Sequence, residues 1–195
     1  MKLQKIIIPK GTEAIECEQF RGNQEIESVE LPEGLKRIEE FAFFGCTALK
    51  EVVIPKSVEC IENNVFEGCV NLESVTFLGE STDIWYEAFA DCVCLKKIVL
   101  PRKTWFIDDA VFMGCYGLTE VVLPEKFENI GACAFEECYL LEKIVLPKGI
   151  ELVEWHAFRG CRSLTIYCRD TEQPKEWEPE WDLGVKEVVW GYKGE

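Results

Sequence analysis

The chain has 195 residues, 48% apolar and 12% aromatic, with 21 Lys and Arg against 36 Asp and Glu for a formal charge of −15. That apolar share builds a packed core and excludes wholesale disorder, and the length allows one domain or at most two. The charge repels phosphate backbones and anionic bilayers alike, and no Lys/Arg cluster offers a local exception, so neither nucleic acid nor membrane insertion is expected.

At the N-terminus, Met1 to Pro9 carries no apolar run of secretory length and no small-residue cleavage site. Nowhere does the chain approach the roughly 20 apolar residues of a membrane span. As written it reads as cytoplasmic, or as the trimmed product of a longer precursor. Leu3 to Ile8 reads as a first strand that stops at Pro9, because proline cannot donate to a ladder.

From there one repeat governs the sequence. Phe20, Phe43, Phe66, Phe89, Phe112, Phe135 and Phe158 recur every 23 residues. Three residues after each stand Asn23, Cys46, Cys69, Cys92, Cys115, Cys138 and Cys161. Ile26, Leu49, Leu72, Leu95, Leu118, Leu141 and Leu164 follow three further on. Val29, Val52, Val75, Ile98, Val121 and Ile144 form another column, and Ile15, Ile38, Ile61, Ile84, Ile107, Ile130 and Val153 a last one. Within Leu-x-x-Val-x-Leu-Pro the last two apolar positions lie two apart, the period of a strand. The Ile column predicts a second short extended segment, and Ala-Phe-x-Gly-Cys is too short for anything beyond a turn or a one-turn helix. Each coil has one apolar face that only stacking can bury. The expectation is a parallel sheet of about eight strands, with short turns or second short strands on the other side and little helix.

These columns resemble the bacterial 23-residue leucine-rich repeat called BspA-like, with Leu-x-x-Val-x-Leu-Pro and Ala-Phe-x-Gly-Cys as its marks, from about Leu3 to Leu164. The resemblance implies a leucine-rich-repeat solenoid that recognises a protein or glycan without catalysis, adhesion-like and at a cell surface. Unlike its family, the sequence shows no signal peptide, wall anchor or companion module.

Two places break the period. In the fourth repeat Leu78 replaces the usual proline, and Gly79 and Ser81 open a softer turn. After Leu164 the spacing contracts by one, with Thr165-Ile166-Tyr167-Cys168 as a final strand of residues 1–170. Residues 171–195, holding Trp177, Trp181 and Val188-Val189-Trp190, read as a Trp-rich cap over the exposed end of the core.

Eleven cysteines without a Cys-x-x-Cys pair do not suit a metal module or a small disulfide scaffold. Stacked cysteines with parallel Cβ vectors suit free buried thiols better than bridges. Cys17, Cys60, Cys94, Cys133 and Cys168 lie off that ladder, and Asn23 in it suggests a side chain bonded to the loop backbone. The lone histidine, His156, stands in a column with Glu18, Phe41, Asn64, Glu87, Ala110 and Cys133, so varied that it reads as surface. No nucleophile elbow, zinc-protease, phosphate-loop or dinucleotide motif occurs. The chain is read as no enzyme, with no metal and no cofactor.

Candidate ligand-binding residues come from two features. Val53, Thr76, Val99, Val122 and Val145 form an apolar stripe facing away from the core, either a groove or simply β-favouring residues. Trp85, Tyr86, Trp105 and Phe106 interrupt an edge otherwise holding Glu16, Glu39, Glu62, Asp108 and Glu154. Trp85 and Phe106 should point outward, either as a recognition patch or as cover for the turn at Gly79. The function read here is recognition of a protein or glycan ligand, preferably one with basic groups; the alternative is a spacer within a longer repeat protein. A monomer is expected, with any self-contact made at the strand edge near Leu3 and Ile7.

Overall fold

The computed structural model describes residues 4–194. Short strands alternate along the chain: β1 (Gln4–Ile7), β2 (Ala14–Ile15), β3 (Ile26–Glu30), β4 (Arg37–Ile38), β5 (Glu51–Ile54), β6 (Cys60–Ile61), β7 (Ser74–Phe77), β8 (Asp83–Ile84), β9 (Lys97–Val99), β10 (Phe106–Ile107), β11 (Glu120–Val122), β12 (Asn129–Ile130), β13 (Lys143–Leu146), β14 (Leu152–Val153), β15 (Thr165–Cys168) and β16 (Glu187–Trp190). The odd-numbered strands, with β16 at the end, form one nine-stranded parallel sheet; the two-residue strands form two smaller sheets, β2-β4-β6-β8 and β10-β12-β14. No helix interrupts the described residues. Each coil of this β-solenoid turns from the major strand through a proline corner to the minor strand, and back through the Phe–Cys corner.

The core is the sequence columns made solid. Phe43, Phe66, Phe89, Phe112, Phe135 and Phe158 are fully buried, as are Cys46 to Cys161 of the ladder and the Ile column from Ile15 to Val153. The phenyl rings of Phe20 through Phe158 stack in one file with centroids 5.1–5.7 Å apart.

The Phe–Cys corner is a turn with two left-handed residues per coil. One is the glycine of the motif, at Gly22, Gly45, Gly68, Gly114 and Gly160, with Asp91 and Glu137 in the same place in their coils. The other is the varied column: Glu18, Phe41, Asn64, Glu87, Ala110, Cys133 and His156 all have φ between 52° and 59°. This corrects the surface reading of that column, since Ala110 and Asn64 are buried and His156 is half-buried. What the position selects is a backbone conformation that costs most side chains about as much.

The major sheet is not paired evenly. Four register pairs join β5 to β7 and four join β13 to β15, whereas β3–β5, β7–β9 and β11–β13 share one pair each. The minor sheet breaks between β8 and β10, at the repeat where Leu78 stands for proline. In that repeat Thr82 is buried, its hydroxyl donating to the Val58 carbonyl at 3.1 Å.

The contraction after Leu164 sets the register Ile144↔Ile166, and β16 then pairs with β15 from Thr165↔Glu187 to Cys168↔Trp190. The tail therefore adds a ninth strand to the eight that the repeat accounts for. Its Trp181 takes the place of the next phenylalanine, edge-on to Phe158 at 6.1 Å. Trp177 is buried beside it and donates its indole N–H to the Ile150 carbonyl. At the other end Ile7 is exposed, while Leu3 lies outside the described residues.

Deleting the residues after Asp170 should uncover Phe158 and the β15 edge together. The loss of two buried indoles costs at least about 3 kcal/mol, and the bare edge templates association. Thermal unfolding and sedimentation velocity check this: a truncated chain that melts as before and stays monomeric would show that the tail covers nothing.

Candidate functional site

The Phe–Cys corner and the turn leading into it carry a group of acidic side chains, and their backbone is bonded from coil to coil. The Phe43 amide donates to the Val65 carbonyl and the Gly45 amide to the Glu67 carbonyl, each in the next coil; the Cys46 amide returns to the Phe43 carbonyl. Side chains on this corner therefore stand in files one coil apart. In the middle of the molecule the files bring Glu67, Glu87, Asp91 and Glu137 together with Tyr86, Tyr116 and Tyr139.

Their electrostatics show the crowding. Burial raises the Glu67 carboxyl, and the charges of Glu87 and Asp91 raise it further, against the hydrogen bond from Asn64. Burial raises Asp91 as well, followed by Glu87 and Glu137. The Asn64 amide is shared between the Glu67 and Glu87 carboxylates at 2.6 and 2.7 Å. Glu87 raises the Tyr86 hydroxyl, and Glu137 that of Tyr139; burial and then Glu137 and Asp91 raise Tyr116. The Tyr116 and Tyr139 rings stack at 5.1 Å and remain exposed, as does Leu140. None of Glu67, Glu87, Asp91 and Glu137 forms a salt bridge among the described residues, while nine other Glu residues pair with Lys or Arg.

The candidate residues fall into separate places. Trp85 and Trp105 are 47% and 49% exposed, Tyr86 is exposed, and Phe106 is half-buried. Trp105 packs on Phe106 at 4.5 Å. The two pairs flank the Ile84 and Ile107 positions from opposite sides, so Trp85 and Tyr86 belong to the acidic corner and Trp105 and Phe106 do not. A side chain at Gly79 would meet the Lys56 backbone. Val53, Val99 and Val122 are exposed on the outer face of the major sheet and Val145 is half-buried. Val122 and Val145 line a groove at the C-terminal end together with Lys143, Arg169 and Tyr192. Tyr116, Tyr139 and Trp155 escaped the sequence reading. Tyr116 and Tyr139 stand in a column with Thr47, Val70 and Val93, and that departure was the available signal.

All eleven cysteines are free. In the ladder each Sγ donates to the phenylalanine carbonyl of the preceding coil, from Cys46 to Phe20 at 3.1 Å through Cys161 to Phe135 at 3.0 Å. Asn23, which opens the file, accepts instead from the Glu25 and Ile26 amides. Burial pushes Cys46 up to about 11 and Cys60, Cys133 and Cys168 to about 12. His156 reaches only Glu180, at 3.2 Å, and its Nδ1 is buried without a partner. Among the described residues no group of three or more His, Cys, Asp and Glu is placed to hold a metal ion. No helix there is long and apolar enough to cross a membrane.

Comparison with known proteins places this geometry. The family model described as a BspA type leucine-rich repeat region matches residues 1–119 and 105–171, in six copies. A leucine-rich repeat protein from Bacteroides ovatus superimposes with a TM-score of 0.78 at 29% identity, over 96% of this chain and 46% of that one. One from Eubacterium ventriosum gives 0.73 at 27% identity, over 88% and 44%. The leucine-rich repeat protein of T. pallidum gives 0.74 at 28% identity, over 98% and 85%. The chain thus spans less than half the length of the first two. Among curated proteins none matches significantly.

Two measurements follow. In the native protein a chromogenic disulfide should react quickly at exposed Cys17 and leave the six ladder thiols untouched until denaturant is added, when all eleven titrate. Fast native reaction at the ladder would show that the stack is open. Asp91→Gly should stabilise the protein at pH 7 by about 1 kcal/mol, by removing a left-handed non-glycine residue and a crowded charge. Because the folded Asp91 carboxyl sits above its unfolded value, its ionised form is disfavoured by folding. That penalty is complete above the folded pKa and vanishes below about 4. The charge part of the gain should therefore shrink on acidification through that window while the backbone part persists, as urea titrations at pH 7 and pH 4 would show.

Proposed function

This chain belongs to the BspA-type leucine-rich repeat family, and we propose that it is a non-enzymatic binding module whose acidic, tyrosine-bearing corner receives a basic segment of a partner protein. The observation that supports this most directly is the set of crowded carboxylates at Glu67, Glu87, Asp91 and Glu137, which form no salt bridge among the described residues, although Arg21 partly offsets the charge on Glu67. Holding them together costs folding free energy, and a ligand's lysine or arginine relieves that cost on binding. The flanking tyrosine faces of Tyr86 and Tyr116 add cation–π attraction of about 0.5–1 kcal/mol each at exposed sites. Trp85, adjacent on the same edge, supplies the large rigid contact area typical of residues that dominate binding energy.

The family supports a repeat module, and the rigid register of the corner is what a recognition surface needs. A basic partner also fits the charge of −15, which steers cations toward the molecule. A solved structure from Faecalibacterium prausnitzii is described as a leucine rich cell surface protein, which is in keeping with recognition at a surface. Catalysis has no comparable support: His156 is held by Glu180 and faces no nucleophile placed to use it. A monomer is the reading for solution. The spacer reading, which the coverage of longer relatives favours, needs no ligand at all.

An arginine-containing octapeptide serves as the probe. It should bind with an affinity that falls as salt rises, and Trp85→Ala with Tyr86→Ala should weaken it about tenfold, the equivalent of 1.4 kcal/mol, although neither change alters charge. Glu87→Gln with Asp91→Asn should remove most of the salt dependence. Binding that follows net charge alone, indifferent to the aromatic pair, would leave only a non-specific polyanion. No binding at all would favour the spacer.

A further inference from the structure

The groove at the C-terminal end of the major sheet has the opposite chemistry to the acidic corner. Its volume is about 520 Å³, within the usual range for a small-molecule or peptide-end site. It opens where β11 and β13 stop pairing: Glu120↔Lys143 is their single register pair, so Val122 and Val145 face each other across an unladdered gap. These two valines, with Leu123 and Pro147, give the groove aliphatic walls.

Two cations border it. Lys143 lies with its Nζ 4.9 Å from the centre of the Tyr167 ring and 5.4 Å from that of Tyr192, on a pair of rings that are themselves 4.7 Å apart. Arg169 lines the same groove. Neither forms a salt bridge among the described residues, whereas the corresponding lysine of the preceding coil but one, Lys97, holds Glu120 at 2.7 Å. Of the two glutamates that line the groove, Glu120 is thus engaged from the other side, and Glu125 forms no salt bridge among the described residues. What sets these two cations apart is that they border one aliphatic groove together.

We propose that this groove is a second binding site, distinct from the acidic corner, for the free carboxyl terminus of a peptide that ends in aliphatic residues. The carboxylate meets Lys143 and Arg169 through charge-assisted hydrogen bonds, the arginine able to grip both oxygens. The last side chains lie on Val122 and Val145. Val122, Leu123, Val145 and Pro147 make the walls aliphatic, and this favours a peptide ending in aliphatic residues over an acidic sugar. The extended backbone of such a peptide also runs naturally along a strand seam that has lost its own ladder.

The probe is acetyl-Gly-Val-Leu with a free carboxylate, titrated into the full chain and followed by methyl and amide NMR. Saturable shifts are expected at Val122, Val145 and Lys143 with a Kd of about 1 mM or below. The same tripeptide as its amide should bind at least about tenfold more weakly, and so should the acid form against Lys143→Gln with Arg169→Gln. Tyr192→Ala, which removes one of the rings under Lys143, should weaken it by less. Melting curves of the variants must match the parent, since all three side chains are on the surface. Equal binding of acid and amide, shifts elsewhere on the molecule, or no saturation by about 10 mM would each overturn the site. Glucuronate that shifts the same residues more tightly than the tripeptide would overturn the peptide assignment. Glu87→Gln with Asp91→Asn should leave this titration unchanged, so the two surfaces stand or fall separately.

Discussion

The structure depends on the phenylalanine carbonyl of the coils from Phe20 to Phe135, each of which accepts two hydrogen bonds. One comes from the amide three residues on, as Phe66 accepts from Cys69 at 3.1 Å. The other comes from the cysteine Sγ of the following coil, as Phe66 accepts from Cys92 at 3.2 Å. A net hydrogen bond is worth about 0.5–1.5 kcal/mol, and a weak thiol donor lies at the low end of that range. A thiol suits the position because it is small, is comfortable among phenyl rings, and still donates weakly. Serine would donate more strongly but would bury a hydroxyl in an apolar file. The bond links coil to coil, so it works only if consecutive coils have the same length at this corner. The strict 23-residue period from Phe20 to Phe158 follows from that requirement.

The same constraint explains where the period may relax. The proline side carries no such bond repeated from coil to coil, and there Leu78, Gly79 and the buried Thr82, bonded to the Val58 carbonyl of the preceding coil, rearrange one turn without disturbing Phe89 or Cys92. The minor sheet breaks at this repeat while the phenyl file runs on at 5.2 and 5.7 Å. The contraction after Leu164 likewise falls beyond the last ladder cysteine, Cys161. Beyond it the file ends in Trp181, and Gly184 occupies the next left-handed position.

Legibility in the sequence follows the same line. Columns that pack against their own copies in the next coil were readable, because identical neighbours demand identical residues. Phe43, Cys46, Leu49, Val52 and Ile61 are buried where the spacing puts them. The tail was only half readable. Its tryptophans announced cover for the core, but β16 could not be inferred, because Val188 stands 22 rather than 23 residues from Ile166 and the coil between carries no motif. The column of His156 misled for a physical reason. A left-handed position disfavours β-branched residues and otherwise admits many types, so the column's variety recorded backbone geometry and not exposure. Trp85 was legible as a departure from a largely acidic column, and Phe106 as an aromatic in a mixed one. Their sides relative to Ile84 and Ile107 follow from residue order, yet which neighbours they would find did not.

The two faces proposed for binding differ in what the fold does for them. At the acidic corner the inter-coil bonds hold like charges at coil spacing whatever their repulsion, so the cost is imposed by the backbone register and remains until a cation arrives. Asn64 shows the limit of internal relief: one amide serves both Glu67 and Glu87, and nothing comparable reaches Asp91. On the major sheet the situation is reversed. Opposite charges stand on neighbouring strands and cancel locally, as Lys50 does with Glu27 and Lys97 with Glu120. At the C-terminal end that alternation runs out, because Thr165 and not an acid pairs with Lys143 across β15. The lysine turns to the tyrosines instead. A solenoid makes binding chemistry most readily where a column fails to complement itself, since a self-complementary column has already used its groups on its neighbours.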